Sequence, residues 1–146
     1  GLRTVLEELV FDLKLPIMGI CVGMQMLAES SEEGSLPGLN WIPGRVLCFS
    51  DNVQSKKLPL PHMGWNQLFR QKESRLLSNG FEDFLHFYFL HSFYFDAQDK
   101  SDVVAESEFG FRFDAVLSRE NIWGVQCHPE KSHRWGEKLM KNFAEL

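Results

Sequence analysis

Cysteine is scarce in this sequence of 146 residues, and its three copies form no cluster. Cys21, Cys48 and Cys127 are an odd number, lie far apart and include no C-x-x-C pair. This pattern argues against a disulfide framework and against a zinc site. Free thiols are typical of a reducing compartment, so we expect a cytoplasmic protein that binds no metal.

Long hydrophobic runs and blocks of positive charge are also absent. No apolar run approaches the roughly 20 residues of a membrane span, and no Lys/Arg block accompanies the formal net charge of −5. These absences argue against a membrane or a nucleic acid as the main partner. The composition, 44% hydrophobic and 24% charged, is ordinary for a globular protein. We therefore predict a single domain over residues 1–146.

The order of the apolar patterns predicts an α/β fold. Residues 2–14 have helical spacing, Ile17 to Ile20 form a short apolar run typical of a strand buried in a parallel sheet, and Met24 to Glu29 are good helix formers. Helix, strand, tight turn and helix follow one another, as in α/β proteins. Further strands and a final helix are predicted over 45–49, 84–95, 103–107, 112–117, 122–127 and 133–146.

Two glycines flank Cys21 at the spacing of a nucleophile elbow. In such a turn the central residue has a strained backbone, and bulky neighbours at the positions of Gly19 and Gly23 would collide with it. A cysteine at a helix N-terminus is also expected to favour the thiolate. The pattern alone is weak evidence for a nucleophile, because cysteines are often buried structural residues.

A candidate base and its orienting carboxylate lie near the end of the chain, in Q-C-H-P-E. His128 and Glu130 are two residues apart, and Pro129 between them favours an extended backbone, so both side chains can project to the same side. A carboxylate in that position can hold the imidazole in one tautomer while the imidazole exchanges a proton with a nucleophile. Cys21, His128 and Glu130 are therefore a candidate catalytic triad.

Two other polar residues have an ordinary structural interpretation when the sequence is considered by itself. Glu33 lies in a polar, glycine-containing segment and would be a solvated loop charge. His91 lies in the most aromatic stretch of the chain, F-L-H-F-Y-F-L-H-S-F-Y-F, where a histidine is usually a hydrogen-bonded core residue. Neither residue is assigned a function on this basis.

The motifs P-I-M-G-I-C-V-G-M-Q and V-Q-C-H-P-E-K-S together resemble those of the triad (class I) glutamine amidotransferases. Within that family, three further blocks are similar to the glutaminase subunits of imidazole glycerol phosphate synthases, namely P-G-R-V (43–46), P-H-M-G-W-N (61–66) and F-Y-F-L-H-S-F (87–93). The resemblance implies a mixed, mainly parallel sheet flanked by helices, and no cofactor. It also implies that Cys21 attacks glutamine, that His128 protonates the departing ammonia and that Glu130 orients His128.

The resemblance also implies contacts with the substrate and with a partner. The Val22 N–H would donate to the oxyanion, and Tyr88 and Lys131 would face a (β/α)8-barrel cyclase that receives the ammonia to form imidazole glycerol phosphate. The positions that would bind glutamine are Gly23, Gln25, Glu33, His91, Ser92 and Phe93.

This sequence departs from the family pattern in two ways. The family domain begins earlier, with N-terminal strands and a glycine-rich loop that donates a second oxyanion N–H, so we expect this chain to be an N-terminally truncated fragment. Cys127 occupies a position where the family usually has an aromatic residue. Two alternatives stay open: a glutaminase that supplies a sugar amidotransferase in surface-polysaccharide synthesis, and a non-catalytic binding module.

Overall fold

A mixed β-sheet carries the rest of the fold in the computed structural model, which describes residues 1–78, 80–81 and 84–146. The strands of the described chain are β1 (Ile17–Ile20), β2 (Ser30–Ser31), β3 (Gly44–Cys48), β4 (His62–Arg70), β5 (Leu85–His91), β6 (Phe93–Ala97), β7 (Val103–Glu108), β8 (Arg112–Arg119) and β9 (Ile122–Val125). The α-helices are α1 (Leu2–Glu7), α2 (Val22–Gln25) and α3 (His133–Ala144). Within these ranges, none of the helices has the length and apolar character needed to cross a membrane.

Most strand pairings in the described chain are antiparallel. The order is β2-β3-β6-β8-β7-β4-β5, and β9 joins β8 to β1. Only β1–β9 and β2–β3 are parallel, while the other pairs are antiparallel. The predicted mixed sheet is confirmed, but the prediction of a mainly parallel one is wrong. Short turns join β7 to β8 and β8 to β9, and such turns connect antiparallel neighbours, whereas a parallel pair needs a long crossover.

The helices agree with the predictions in position more than in detail. α3 lies where a helix was predicted and buries Leu139. The first predicted helix is α1 followed by a π-helical turn over Glu8–Asp12, and its apolar side is only partly covered, since Leu2 is 76% exposed. α2 is shorter than predicted because the chain tightens after it, with the Leu27 N–H donating to the carbonyl of Met24.

The core of the described chain has two clusters, and the larger one combines aliphatic side chains with aromatic ones such as Phe87, Phe89 and Phe113. Alternate residues of β5 are buried, as the sequence predicts for Phe87, Phe89 and His91. β4 was not predicted, since Pro59, Pro61 and Gly64 interrupt the apolar alternation around its start. In the structure β4 forms a long antiparallel pair with β5 that places His62 opposite His91. This pairing positions one wall of the candidate site.

Candidate active site

Cys21 lies in the tight turn between β1 and α2. Its backbone has φ 51° and ψ −109°, a conformation that is costly for any residue other than glycine. The Cys21 N–H donates to the carbonyl of Val125, at 2.8 Å, and the Cys21 carbonyl accepts from the Gln25 N–H, at 3.2 Å. Bonds to the neighbouring strand and to the first turn of α2 therefore hold the strained residue in place, as a nucleophile elbow requires.

Only one of the two glycines that flank Cys21 is needed to avoid a collision in the turn. A Cβ on Gly19 would lie 2.4 Å from the carbonyl oxygen of Gly23, whereas a Cβ on Gly23 would meet nothing within 4 Å. The expectation that both glycines prevent collisions is therefore wrong for Gly23. The backbone of α2 passes close over β1 at Gly19, so a side chain has no room there. At Gly23 a side chain does have room.

The two glycines make a matched pair for a stability measurement. Gly19→Ala should lower the free energy of unfolding by about 1–3 kcal/mol, because the new methyl group overlaps backbone. Gly23→Ala should be neutral or stabilising by up to about 1 kcal/mol, since glycine is a poor helix former. Urea denaturation of both variants checks this, and equal destabilisation by the two substitutions would contradict the close approach at Gly19.

A cavity of about 220 Å³ opens beside Cys21. Its volume is below the roughly 300–1,000 Å³ of sites for drug-sized ligands, so it favours a small molecule. All predicted substrate-binding residues except Gly23 line it. The lining residues are Cys21, Val22, Gln25, Glu33, Leu90, His91, Ser92 and Phe93.

His128 and Glu130 follow β9 at the end of the sheet where Cys21 follows β1. Their side chains are hydrogen-bonded to each other. The His128 Nδ1–H donates to Glu130 Oε1, at 2.7 Å, so in the neutral ring the lone pair is on Nε2. Nε2 is buried and has no hydrogen-bond partner among the described residues. Burial opposes ionisation of Glu130, but the hydrogen bond from His128, the backbone N–H of Glu130 and the charges of His128 and Lys131 together hold the pKa of this carboxyl below its usual value. The arrangement suits a base that is held in one tautomer.

The Cys21 thiol does not have the lowered pKa expected from the helix N-terminus. Burial raises the pKa of Cys21, the N–H of Val22 lowers it, and the charge of Glu130 raises it again. The net effect is a pKa above the usual value. α2 has only four residues, so its dipole is too small to offset burial. Cys21 is therefore a thiol at rest, and attack requires a base to remove its proton.

Gln126 is a site residue that the sequence reasoning missed. Its side chain is fully buried, its Nε2–H donates to Cys21 Sγ, at 3.7 Å, and its Oε1 accepts from Gln25 Nε2, at 3.1 Å. Gln25 Nε2 also donates to the carbonyl of Phe93, at 3.1 Å. The one available signal was a polar residue at the end of the apolar β9 strand, directly before the Cys127-His128 dipeptide.

His91 and Glu33 were each given an ordinary structural interpretation from the sequence, and both lie at the cavity. The His91 ring is a core residue, because Nε2 is bonded to His62 Nδ1, at 2.8 Å, and Nδ1 is bonded to the carbonyl of Phe93, at 2.7 Å. Its neighbourhood nevertheless forms part of the cavity wall. Glu33 is exposed, lines the cavity and contributes to raising the pKa of Cys21. Exposure and proximity to the site are both true of Glu33.

Tyr88 and Lys131 lie outside the cavity. Lys131 Nζ is 5.8 Å from the centre of the Tyr88 ring, and the carbonyl of Tyr88 accepts the His128 backbone N–H, at 2.8 Å. The Trp65 ring lies 6.1 Å from Tyr88 and is stacked on His133, at 5.5 Å. Tyr88 and Lys131 thus belong to a cluster that also contains the rings of Trp65 and His133. In the described ranges, no group of three or more His, Cys, Asp or Glu residues is suited to hold a metal ion.

The comparison with protein families gives one match over almost the whole chain. The model of the family "Glutamine amidotransferase class-I" matches residues 3–146. A protein of Leptospira borgpetersenii named "Imidazole glycerol phosphate synthase subunit HisH" is 50% identical over 146 residues, which are 100% of this chain and 71% of that protein. A Bdellovibrio bacteriovorus protein of the same name is 48% identical, with the same coverage.

Solved structures of lower sequence identity share the fold. PurLQS from Thermotoga maritima is similar with a TM-score of 0.67 and 22% identity, over 99% of this chain and 67% of that one. A glutamine amidotransferase from Thermotoga maritima is similar with a TM-score of 0.63 and 19% identity. This chain is 98% covered in that comparison and spans 52% of the solved one.

Proposed function

Because this chain belongs to the class-I glutamine amidotransferase family, we propose that it hydrolyses glutamine to glutamate and ammonia and supplies the ammonia to a cyclase subunit that forms imidazole glycerol phosphate. The relatives named as subunits of that synthase support this choice of acceptor. The observation that carries the proposed chemistry is the position of His128 Nε2, which has no hydrogen-bond partner in the part of the chain that the structure describes. Glu130 orients its ring, and the strained Cys21 lies at the same end of the sheet. The three free cysteines support a cytoplasmic location.

The first step forms a thioester. Cys21 Sγ attacks the side-chain amide carbon of glutamine while its proton passes to His128 Nε2, and the carbonyl becomes an oxyanion. The N–H of Val22, which bonds to Cys21 in the free site, is one donor available to that oxyanion. The C–N bond then breaks as His128 gives its proton to the leaving nitrogen. Ammonia departs, and the glutamyl group stays on Cys21.

The second step hydrolyses the thioester. His128 Nε2 removes a proton from water, the hydroxide oxygen bonds to the glutamyl carbon, and the C–S bond breaks as the proton returns to Cys21 Sγ. Glutamate leaves and the thiol is restored. Glu130 accepts the Nδ1–H of His128 throughout and stabilises the imidazolium that forms in both steps.

Glutamate release in the presence of candidate acceptors tests the choice of partner. A cognate (β/α)8-barrel cyclase should raise the rate by about 5- to 150-fold, the usual size of coupling between sites. Lys131→Ala should reduce that stimulation, because Lys131 lies on the proposed interface, while Lys141→Ala, which removes another exposed lysine, should leave it unchanged.

Each other outcome identifies one of the alternatives. Stimulation by a sugar amidotransferase but not by the cyclase would favour the polysaccharide acceptor. Without turnover in either mixture, and with no labelling of Cys21 by a glutamine-analogue diazoketone, the chain would be a binding module.

A further inference from the structure

A chain of hydrogen bonds crosses the core behind the candidate glutamine cavity. Asn66 Nδ2 lies 3.1 Å from His62 Nε2, His62 Nδ1 lies 2.8 Å from His91 Nε2, and His91 Nδ1 lies 2.7 Å from the carbonyl oxygen of Phe93. The same oxygen accepts from Gln25 Nε2. This hydrogen-bond chain therefore connects β4, through β5 and the start of β6, to the side chain of Gln25 in the cavity wall.

The chemistry of the end groups fixes the direction of every bond. A carbonyl oxygen only accepts, so His91 carries its hydrogen on Nδ1. Burial lowers the pKa of His91 to about 3 and the pKa of His62 to about 4, so both rings are neutral near pH 7. His91 Nε2 must then accept from the His62 Nδ1–H, and His62 Nε2 must accept from the amide of Asn66.

Asn66, the first donor of the hydrogen-bond chain, is itself held by two further hydrogen bonds. The second N–H of its amide donates to the carbonyl of Glu108, at 2.8 Å, and its Oδ1 accepts from the Gln67 N–H, at 2.8 Å. These two bonds determine which side of the amide faces His62. The Asn66 side chain is therefore a fixed donor, and the order Asn66 to His62 to His91 cannot be reversed by turning it over.

Packing prevents the two rings from rotating to other partners. His62 and His91 are each only 6% exposed. Phe89 and Phe109 are stacked on the His62 ring, with centroids 5.1 and 4.6 Å away, and Phe49 lies 5.4 Å from the His91 ring. A flipped ring would leave a buried nitrogen without a partner, which is costly.

We propose that Asn66, His62 and His91 are positioning residues for the glutamine site, fixing the Phe93 carbonyl and, through it, the amide of Gln25. The two bonds of Gln25 Nε2, to the Phe93 and Gln126 oxygens, fix the orientation of its Oε1, an acceptor suited to an N–H group of the substrate. This role rests on the proposed function, since it concerns glutamine binding. It acts on binding rather than on the Cys21–His128 proton transfer.

Kinetics separate this role from general support of the fold. His62→Phe keeps the aromatic packing but leaves His91 Nε2 without a donor, and Asn66→Leu removes the first donor at the less buried end. Each should raise the KM for glutamine about 10-fold and change kcat by less than about 3-fold. His86→Phe, on β5 like His91 but not part of the hydrogen-bond chain, should leave KM unchanged. Folded His62→Phe and Asn66→Leu variants with normal KM would overturn the proposal.

The tautomers of His62 and His91 test the direction of the hydrogen-bond chain without a measurement of turnover. In ¹⁵N NMR spectra of the wild-type protein at pH 7, both rings should be neutral with the hydrogen on Nδ1, the less common tautomer of free histidine. An Nε2–H form of either His62 or His91 would contradict the proposed direction of the hydrogen bonds from Asn66 to His91. If the protein with its cyclase releases no glutamate but both rings are Nδ1–H, the proposed function fails while the chain of bonds stands without its role in glutamine binding.

Discussion

Alanine in place of Cys21 is expected to lower glutamate release by at least about 10⁴-fold, measured with glutamine and the cyclase partner. Removal of a covalent nucleophile from a triad enzyme has effects of this size or larger. Cys21 is the only cysteine that lines the described cavity, so no other thiol can replace it. The variant should still fold, because the hydrogen bonds that join the Cys21 thiol to Leu90, at 3.8 Å, and to Gln126, at 3.7 Å, are long.

Cys127→Ala is the matched control. Cys127 is fully buried, and burial raises the pKa of its thiol far above the usual value, so it is not a nucleophile near pH 7. The control should retain glutamate release. A diazoketone analogue of glutamine should label the Cys21 peptide in the wild type and in Cys127→Ala, and no peptide in Cys21→Ala. Labelling of the Cys127 peptide instead would refute the assignment of Cys21.

Asparagine in place of His128 should reduce glutamate release by about 10⁴-fold or more, because it removes the proposed base that takes the Cys21 proton. The thiol has a raised pKa, so it depends on a base more than a preformed thiolate would. Labelling by the diazoketone should slow as well, since it uses the same nucleophile. The stability of the variant should change little, as the bonds of the His128 backbone to Tyr88 and Ser132 remain.

Glu130→Gln separates orientation from charge in the same experiment. The glutamine oxygen can still accept the Nδ1–H of His128, but it carries no charge to stabilise the imidazolium, so a smaller loss of about 10²-fold is expected. His86→Asn, a histidine outside the site, should have no effect. Wild-type rates in His128→Asn would show that Cys21 is activated by some other route.

Local features were the most predictable from the sequence. The bounds of β1 followed from a four-residue apolar run, and the turn at Cys21 followed from the two glycines that flank it, although only Gly19 is sterically required. Both features depend on neighbouring residues only. The bond between His128 and Glu130 was also expected and is present, but the expected extended backbone at Pro129 is wrong, because Pro129–Lys131 forms a 3₁₀ turn. The alternation in β5 was also visible, since every second side chain of a strand lies on the same face.

Features that depend on distant residues were missed or wrong. β4 was not predicted because prolines and a glycine interrupt its pattern, and its pairing with β5 is what orders it. The role of Gln126 was hidden because its partners, Cys21 and Gln25, are about 100 residues away in the chain. The direction of the Cys21 pKa shift was wrong because it depends on burial, which chain spacing does not reveal.

The sequence by itself determined the chemistry available to this protein: a cysteine in a strained turn, a histidine with its carboxylate, and the motifs of a glutamine amidotransferase. These are properties of short segments, where bonded geometry and side-chain type are sufficient. Only the tertiary structure decided that the thiol is protonated at rest, that Gln126 holds it, and that two buried histidines support the cavity wall. Burial and hydrogen bonding between distant strands exist only after the chain has folded.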